Sequence, residues 1–175
     1  MTATLPTTSR QPDCMAGSTS WALTPEDEAA LRRGIDRLLH ESGARCALLV
    51  DRGGQLLQSV GERPDFDATS FATLAAADYG ANDQLARLLG ESEFSSLFHQ
   101  GERESLLLAD VAGRAILVVI FDTRTTPGLV RLRLRATVDE LSHLVAAMTA
   151  RDAGSGVPRP PLLADADDEI DRLFQ

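Results

Sequence analysis

Apolar residues recur at helical spacing at Leu31, Ile35, Leu38 and Leu39, directly behind a helix start. Thr24 can cap, Pro25 suits the first helical position, and Glu26, Asp27 and Glu28 complement the positive helix end. Gly43 is a natural stop. "ARCALLVD" then reads as a buried strand, Gly53-Gly54 as a tight turn and "QLLQSV" as the returning strand of a hairpin. A second helix is expected from about Asp67 to Leu89, ended by Gly90. "FSSLFH", "SLLLADV" and "AILVVIFD" read as three more strands, the last two joined around Ala112-Gly113. The closing helix carries Val130, Leu134, Val138, Leu141, Val145 and Met148 at helical spacing, although "VRLRLR" also alternates like a strand. The order α-β-β-α-β-β-β-α predicts an α+β domain with a five-stranded antiparallel sheet between helices. "AILVVIFD" lacks polar alternation, so it should be a central strand covered on both faces.

The second helix has two contrasting faces. At about 100° per residue, Phe71, Leu74, Ala81, Leu85, Leu88 and Leu89 form one stripe, read as the face that covers the sheet. Ala72, Ala76 and Gly80 fall opposite, flanked by Tyr79 and Asp83. A mid-helix Gly costs ~1 kcal/mol relative to Ala, so helix propensity does not explain this bare face. It reads as a docking surface, on which Ala76→Arg should spare the fold and abolish binding. Solvation alone is the plainer explanation. Asp78 falls on the sheet-facing stripe and needs a hydrogen-bond partner or an edge position.

Flanking segments differ in kind. Residues 1–23 are rich in Thr, Ser and Pro and are expected to be a disordered arm; 24–151 form the domain; 152–175 form a Gly/Pro linker and an acidic amphipathic segment. In that segment Ile170, Leu173 and Phe174 share a helical face, a candidate for contact with a partner, with a solvating tail as the plainer reading.

Charge and chemistry narrow the function. The 175-residue chain has a net charge of −9, which disfavours nucleic acid as a partner. All 17 basic residues are arginine, so lysine-dependent phosphate-binding and Schiff-base chemistry are excluded. Cys14 and Cys46 make no paired motif, and a reducing cytoplasm is the simpler setting. No secretory signal is recognisable, and the longest solid apolar run, residues 115–121, is far short of the ~20 residues that span a bilayer. His40, His99 and His143 are scattered and offer no metal-ligand spacing, so neither metal nor cofactor is expected. Arg124 in "TRTTPG" invites comparison with an arginine finger; a loop arginine in solvent is the plainer reading. Residues 95–98 of "FSSLFH" carry no charge, and an unguarded edge strand invites pairing with a second copy.

"SGARCALLVDRGGQLL", "FATLAAADYGANDQLARLLGE" and "FHQGERESLLLADVAGRAILVVIFD" resemble the roadblock/dynein light chain domain family, and most of all its MglB-type branch, over residues 24–150. The resemblance implies a homodimer with a continuous sheet, joined through the strand at Ser95, Ser96, Leu97, Phe98 and His99 and through the middle helix. It also implies a platform of two middle helices for one small Ras-like, MglA-like GTPase, with Ala72, Ala76, Tyr79, Gly80 and Asp83 as the contacts. Such proteins stimulate GTP hydrolysis without donating a catalytic residue, which argues against an Arg124 finger. Two small residues are expected where this chain has Tyr79 and Gly80. A non-activating scaffold and a small-ligand sensor with a pocket between helix and sheet remain as alternatives.

Overall fold

The computed structural model describes residues 23–92 and 94–154. The first helix, α1 (Pro25–Ser42), begins in a reciprocal capping box: Asp27 N–H donates to Thr24 Oγ1 at 3.2 Å, and Thr24 N–H donates to Asp27 Oδ2 at 3.1 Å. Gly43, at φ 69°, ends it in the left-handed conformation that glycine adopts without a Cβ penalty.

Strands β1 (Cys46–Asp51) and β2 (Leu56–Gly61) form the first hairpin. Helix α2 (Ala68–Leu88) follows, with Asp67 as its cap, its carboxylate accepting from Ser70 N–H at 2.9 Å. Strands β3 (Ser96–Gln100), β4 (Glu104–Val111) and β5 (Ala115–Asp122) form a meander. In the β4–β5 turn, Ala112 (φ 56°) and Gly113 (φ 68°) are both left-handed and Arg114 N–H donates to Val111 C=O at 3.1 Å. That is the type I′ geometry whose twist matches its strands. Helix α3 (Pro127–Gly154) closes the domain. The "VRLRLR" ambiguity resolves as helix because the chain supplies a start: Thr126 Oγ1 accepts from Leu129 N–H at 3.3 Å and Pro127 is the first helical residue.

All five strands join one antiparallel sheet in the order β2-β1-β5-β4-β3. The expected α+β fold and the central position of β5 are both present. Leu23 packs on the core, and α3 continues to Gly154.

Two apolar layers flank the sheet. On one face α1 and α3 bury Leu31, Ile35, Leu38, Val130, Leu134, Leu141 and Val145 against Leu49, Leu117, Val119 and Phe121. On the other, α2 alone packs on the sheet, mainly over β1, β2 and β5, with Leu108 of β4 in the same cluster and Leu97 and Leu106 partly buried at its margin.

Candidate protein-interaction site

Helix α2 is turned the opposite way from the sequence expectation. Ala72, Ala75, Ala76, Tyr79, Asn82 and Ala86 are its buried residues, and Ala72, Ala75, Ala76 and Tyr79 lie on Leu48, Val50, Ile116, Val118 and Ile120. Branched side chains on the sheet already fill the space between the layers. A helix that lies low over them can present only small groups, or one flat ring, without overpacking. Leu74, Leu85, Leu88 and Leu89 face outward, 69%, 56%, 82% and 74% exposed. With Asp78 and Ala81, three of these form a stripe at spacings of four and three residues, the geometry of a helix–helix seam.

Ala72, Ala76 and Tyr79 are therefore not surface contacts of this protomer. Tyr79 is 1% exposed and its hydroxyl donates to the Phe94 carbonyl at 3.1 Å. Burial, aided by the Asp110 carboxylate, pushes that hydroxyl up to about 12, so it stays a neutral donor. The Arg52 guanidinium sits 5.0 Å from the ring centroid and reaches Asp83 Oδ2 at 2.5 Å and Asp110 Oδ1. Burial works against the charge on Arg52, but Asp110 and Asp83 outweigh it and hold the guanidinium firmly protonated. Asp83 thus ties α2 to the β1–β2 turn. The same turn meets the helix at Gly54 (φ 89°), where a Cβ would fall 2.9 Å from Thr73 Cα. Gly80 is half-buried on the flank of the helix, and a Cβ there would meet nothing within 4 Å.

Beside the leucine stripe lies the free edge of the sheet. Strand β3 pairs only with β4 among the described residues. Ser96, Leu97 and Phe98 are half-buried, while Ser95 and His99 are exposed. A groove of about 360 Å³ runs between α2 and the β3–β4 hairpin, with Phe71, Leu74, Leu106, Leu108 and Val118 in its walls. Asp78, which needed a partner, finds His99 Nε2 at 2.6 Å across this groove. The apolar walls of the groove thus link Leu74 on the outer face of α2 to Leu106 and Leu108 beside the edge strand, with the Asp78–His99 pair crossing between them.

The model of the Roadblock/LC7 domain matches residues 34–121. The chain belongs to the roadblock/LC7 family. It is 43% identical to Myxococcus xanthus MglB, with a TM-score of 0.64, over 67% of this chain and 95% of that one. The gliding protein MglB of Thermus thermophilus is 33% identical with a TM-score of 0.67, over 71% of this chain and 95% of that one. A further MglB, described as having a tetrameric arrangement, is 32% identical with a TM-score of 0.69, over 74% and 97% respectively. The roadblock fold is that of a regulatory domain family, and this chain is a roadblock-domain regulator similar to MglB.

Within the roadblock domain, the residues that the sequence singles out separate into two groups. The strand from Ser95 to His99 borders the apolar groove and Gly80 sits half-buried on the other flank of α2, whereas Ala72, Ala76 and Tyr79 lie beneath the helix and Asp83 is engaged by Arg52. Ile170, Leu173 and Phe174 lie outside the described residues. The stripe of Leu74, Leu85 and Leu88, expected in the core, is instead the outer face. Two signals in the chain point that way: its four-and-three spacing, and the ring of Tyr79, which shares a face with Ala72 and Ala86.

Arg124 is occupied at home. Its Nε donates to both Asp122 carboxylate oxygens at 3.0 Å, and Nη2 reaches Glu62 Oε1 at 3.0 Å. Hydrogen bonds from Arg45, then Arg124, hold the Glu62 carboxyl below the usual range. Among the described residues no group of three or more His, Cys, Asp and Glu side chains could hold a metal ion, and no helix is long and apolar enough to cross a membrane.

Proposed function

We propose that this chain acts in the cytoplasm as a homodimer that binds a small Ras-like, MglA-like GTPase and stimulates its GTP hydrolysis without contributing a catalytic group. The observation that carries the reading is the outer leucine stripe of α2 together with the apolar groove between it and the β3–β4 hairpin. A stable monomer has little use for three leucines exposed at seam spacing beside an unpaired strand. Antiparallel pairing of β3 with its copy would extend the sheet across a two-fold axis. Because the groove between α2 and the β3–β4 hairpin is open and His99 on the edge strand is exposed, the second copy's α2 has room on the same face. The two helices would then form the platform, their leucine stripes along the seam and its rim, with Gly80 on the flank toward the GTPase. Activation would follow from preferring the GTPase conformation closed over the γ-phosphate.

GTP turnover by an MglA-like GTPase, measured with and without this protein, tests the reading. Turnover should rise well above the intrinsic rate, and Arg124→Ala should leave that rise within a few-fold, whereas loss of a true finger costs ~10³-fold or more. Binding without a rise in turnover would replace activation by scaffolding. Light scattering that reports a monomer at micromolar concentration would remove the platform altogether.

A further inference from the structure

On the opposite face of the sheet, a groove of about 570 Å³ separates α3 from the β3–β4 hairpin. Its floor is apolar, with Ala109, Leu134 and Val138, and Leu132 stands on its rim 64% exposed. Arg131 and Arg135 line it one helical turn apart, and both are exposed and without a carboxylate in ion-pair range among the described residues. Of the acidic groups beside them, Asp110 is already held by Arg52, which leaves Asp139 as the counter-charge. An apolar trough with an arginine rim is unusual on a chain of net charge −9. It selects an acidic, amphipathic occupant.

The chain carries such a segment in reach. Residues 162–175 hold Asp165, Asp167, Asp168, Glu169 and Asp171 against the single Arg172, interleaved with Leu163, Ile170, Leu173 and Phe174. Helix α3 ends at Gly154, and the walk back from there to Ser142, the near end of the groove, is roughly 18 Å at 1.5 Å per helical residue. The seven residues 155–161, rich in proline, span roughly 22 Å at ~3.1 Å each. The groove then runs along α3 from residue 142 to residue 128, again roughly 21 Å. Fourteen residues reach that far even at the most compact helical rise.

We infer that residues 162–175 dock in cis in the groove between α3 and the β3–β4 hairpin, their apolar side chains on its floor and their carboxylates on Arg131 and Arg135. The tail would then guard the face opposite α2, and a partner could recruit it only by displacing it. This holds whether or not the GTPase reading does, since it requires no second protein.

A nitroxide near the end of the full-length chain reads out the contact. The label goes on Gln175→Cys in a Cys14→Ser background. Cys46 is buried and burial pushes its thiol up to about 11, so it stays unlabelled. Amide signals of residues 128–142 should broaden several-fold more than those of α2. The broadening should vanish when spin label and isotope are on different chains in a mixed sample. Arg131→Glu with Arg135→Glu should abolish it, and adding Asp167→Arg with Asp168→Arg should restore it. Broadening on α2, broadening spread evenly over the domain, broadening only between chains, or indifference to charge reversal would each overturn the inference.

Discussion

The two layers that flank the sheet are built on opposite plans. In the α1–α3 layer large aliphatic side chains point inward, and pairs such as Asp27–Arg151, Arg37–Glu140 and Glu41–Arg133 join the helices around them. In the α2 layer alanines point inward and leucines outward. The first layer is complete within one chain. The second is a single helix over the sheet, with its leucines in solvent. Side-chain volume, not hydrophobicity, decides which way a helix turns when both of its faces are apolar. A low helix over a floor of Leu, Val and Ile must be lined with small residues.

The most damaging test places a charge under α2. Ala72 has no exposed surface, so Ala72→Arg should cost ~3–5 kcal/mol and prevent stable folding. Ala76 sits at the rim with 9% exposure, where a long side chain can snorkel toward water. Ala76→Arg should cost about 2–3 kcal/mol, a fall in melting temperature on the order of 10 °C. Thermal melts of both variants check this. Wild-type melting of Ala76→Arg would restore the bare-face reading.

The outer face should behave in the reverse way. Leu85→Arg combined with Leu88→Arg alters two side chains that are 56% and 82% exposed, so stability should stay within about 0.5 kcal/mol. If these leucines anchor the GTPase, affinity by calorimetry should fall ~100-fold. Scattering on the same sample distinguishes a lost partner from a lost dimer. Unchanged affinity and unchanged dimer would remove the platform from α2.

Most of the architecture is legible in the chain because local signals agree with tertiary ones. The Thr24-Pro25 start, the Gly43 stop, the Ala112-Gly113 turn and the uniformly apolar "AILVVIFD" each specify one geometry. Orientation of α2 is not legible in the same way. Its leucine stripe and its alanine stripe are both apolar, so periodicity identifies two faces and cannot rank them. The deciding fact is the bulk of the strands beneath, which comes from residues more than twenty positions away in sequence. Asp83 illustrates a second limit. In the sequence it reads as a surface anion, and Arg52, on a distant turn, consumes it.

Acid separates the layers again. The hydrogen bond from Arg151 holds the Asp27 carboxyl below its usual range, and the cap contacts with Thr24 add to this against the opposing effect of burial. A depressed folded pKa gives stability that is present above the unfolded value, near ~4, and is lost as pH falls through the folded one. Asp27→Asn should therefore be ~0.5–1 kcal/mol less stable than wild type at neutral pH, most of it from the cap because Arg151 is solvent-screened. The difference should close below about pH 4. Denaturant titrations at several pH values measure it. A difference that persists in acid would mean that the charge of the carboxylate does not carry it.

The smallest expected effect falls on Gly80. It lies in the interior of α2, has an ordinary helical backbone, and offers open space where a Cβ would stand. Nothing within the protomer requires glycine there, so it imposes a helix cost with no internal return. Gly80→Ala should raise stability by ~0.5–1 kcal/mol, a few degrees in melting temperature. Space left open by a costly residue makes sense if a partner's backbone comes close at that point. Added methyl bulk should then weaken GTPase binding several-fold, which makes Gly80→Ala a variant that is more stable and binds less well. Calorimetry and a melt on one preparation give both values. Higher stability with wild-type affinity would place the contact further along the leucine stripe and leave Gly80 as a bystander on its flank.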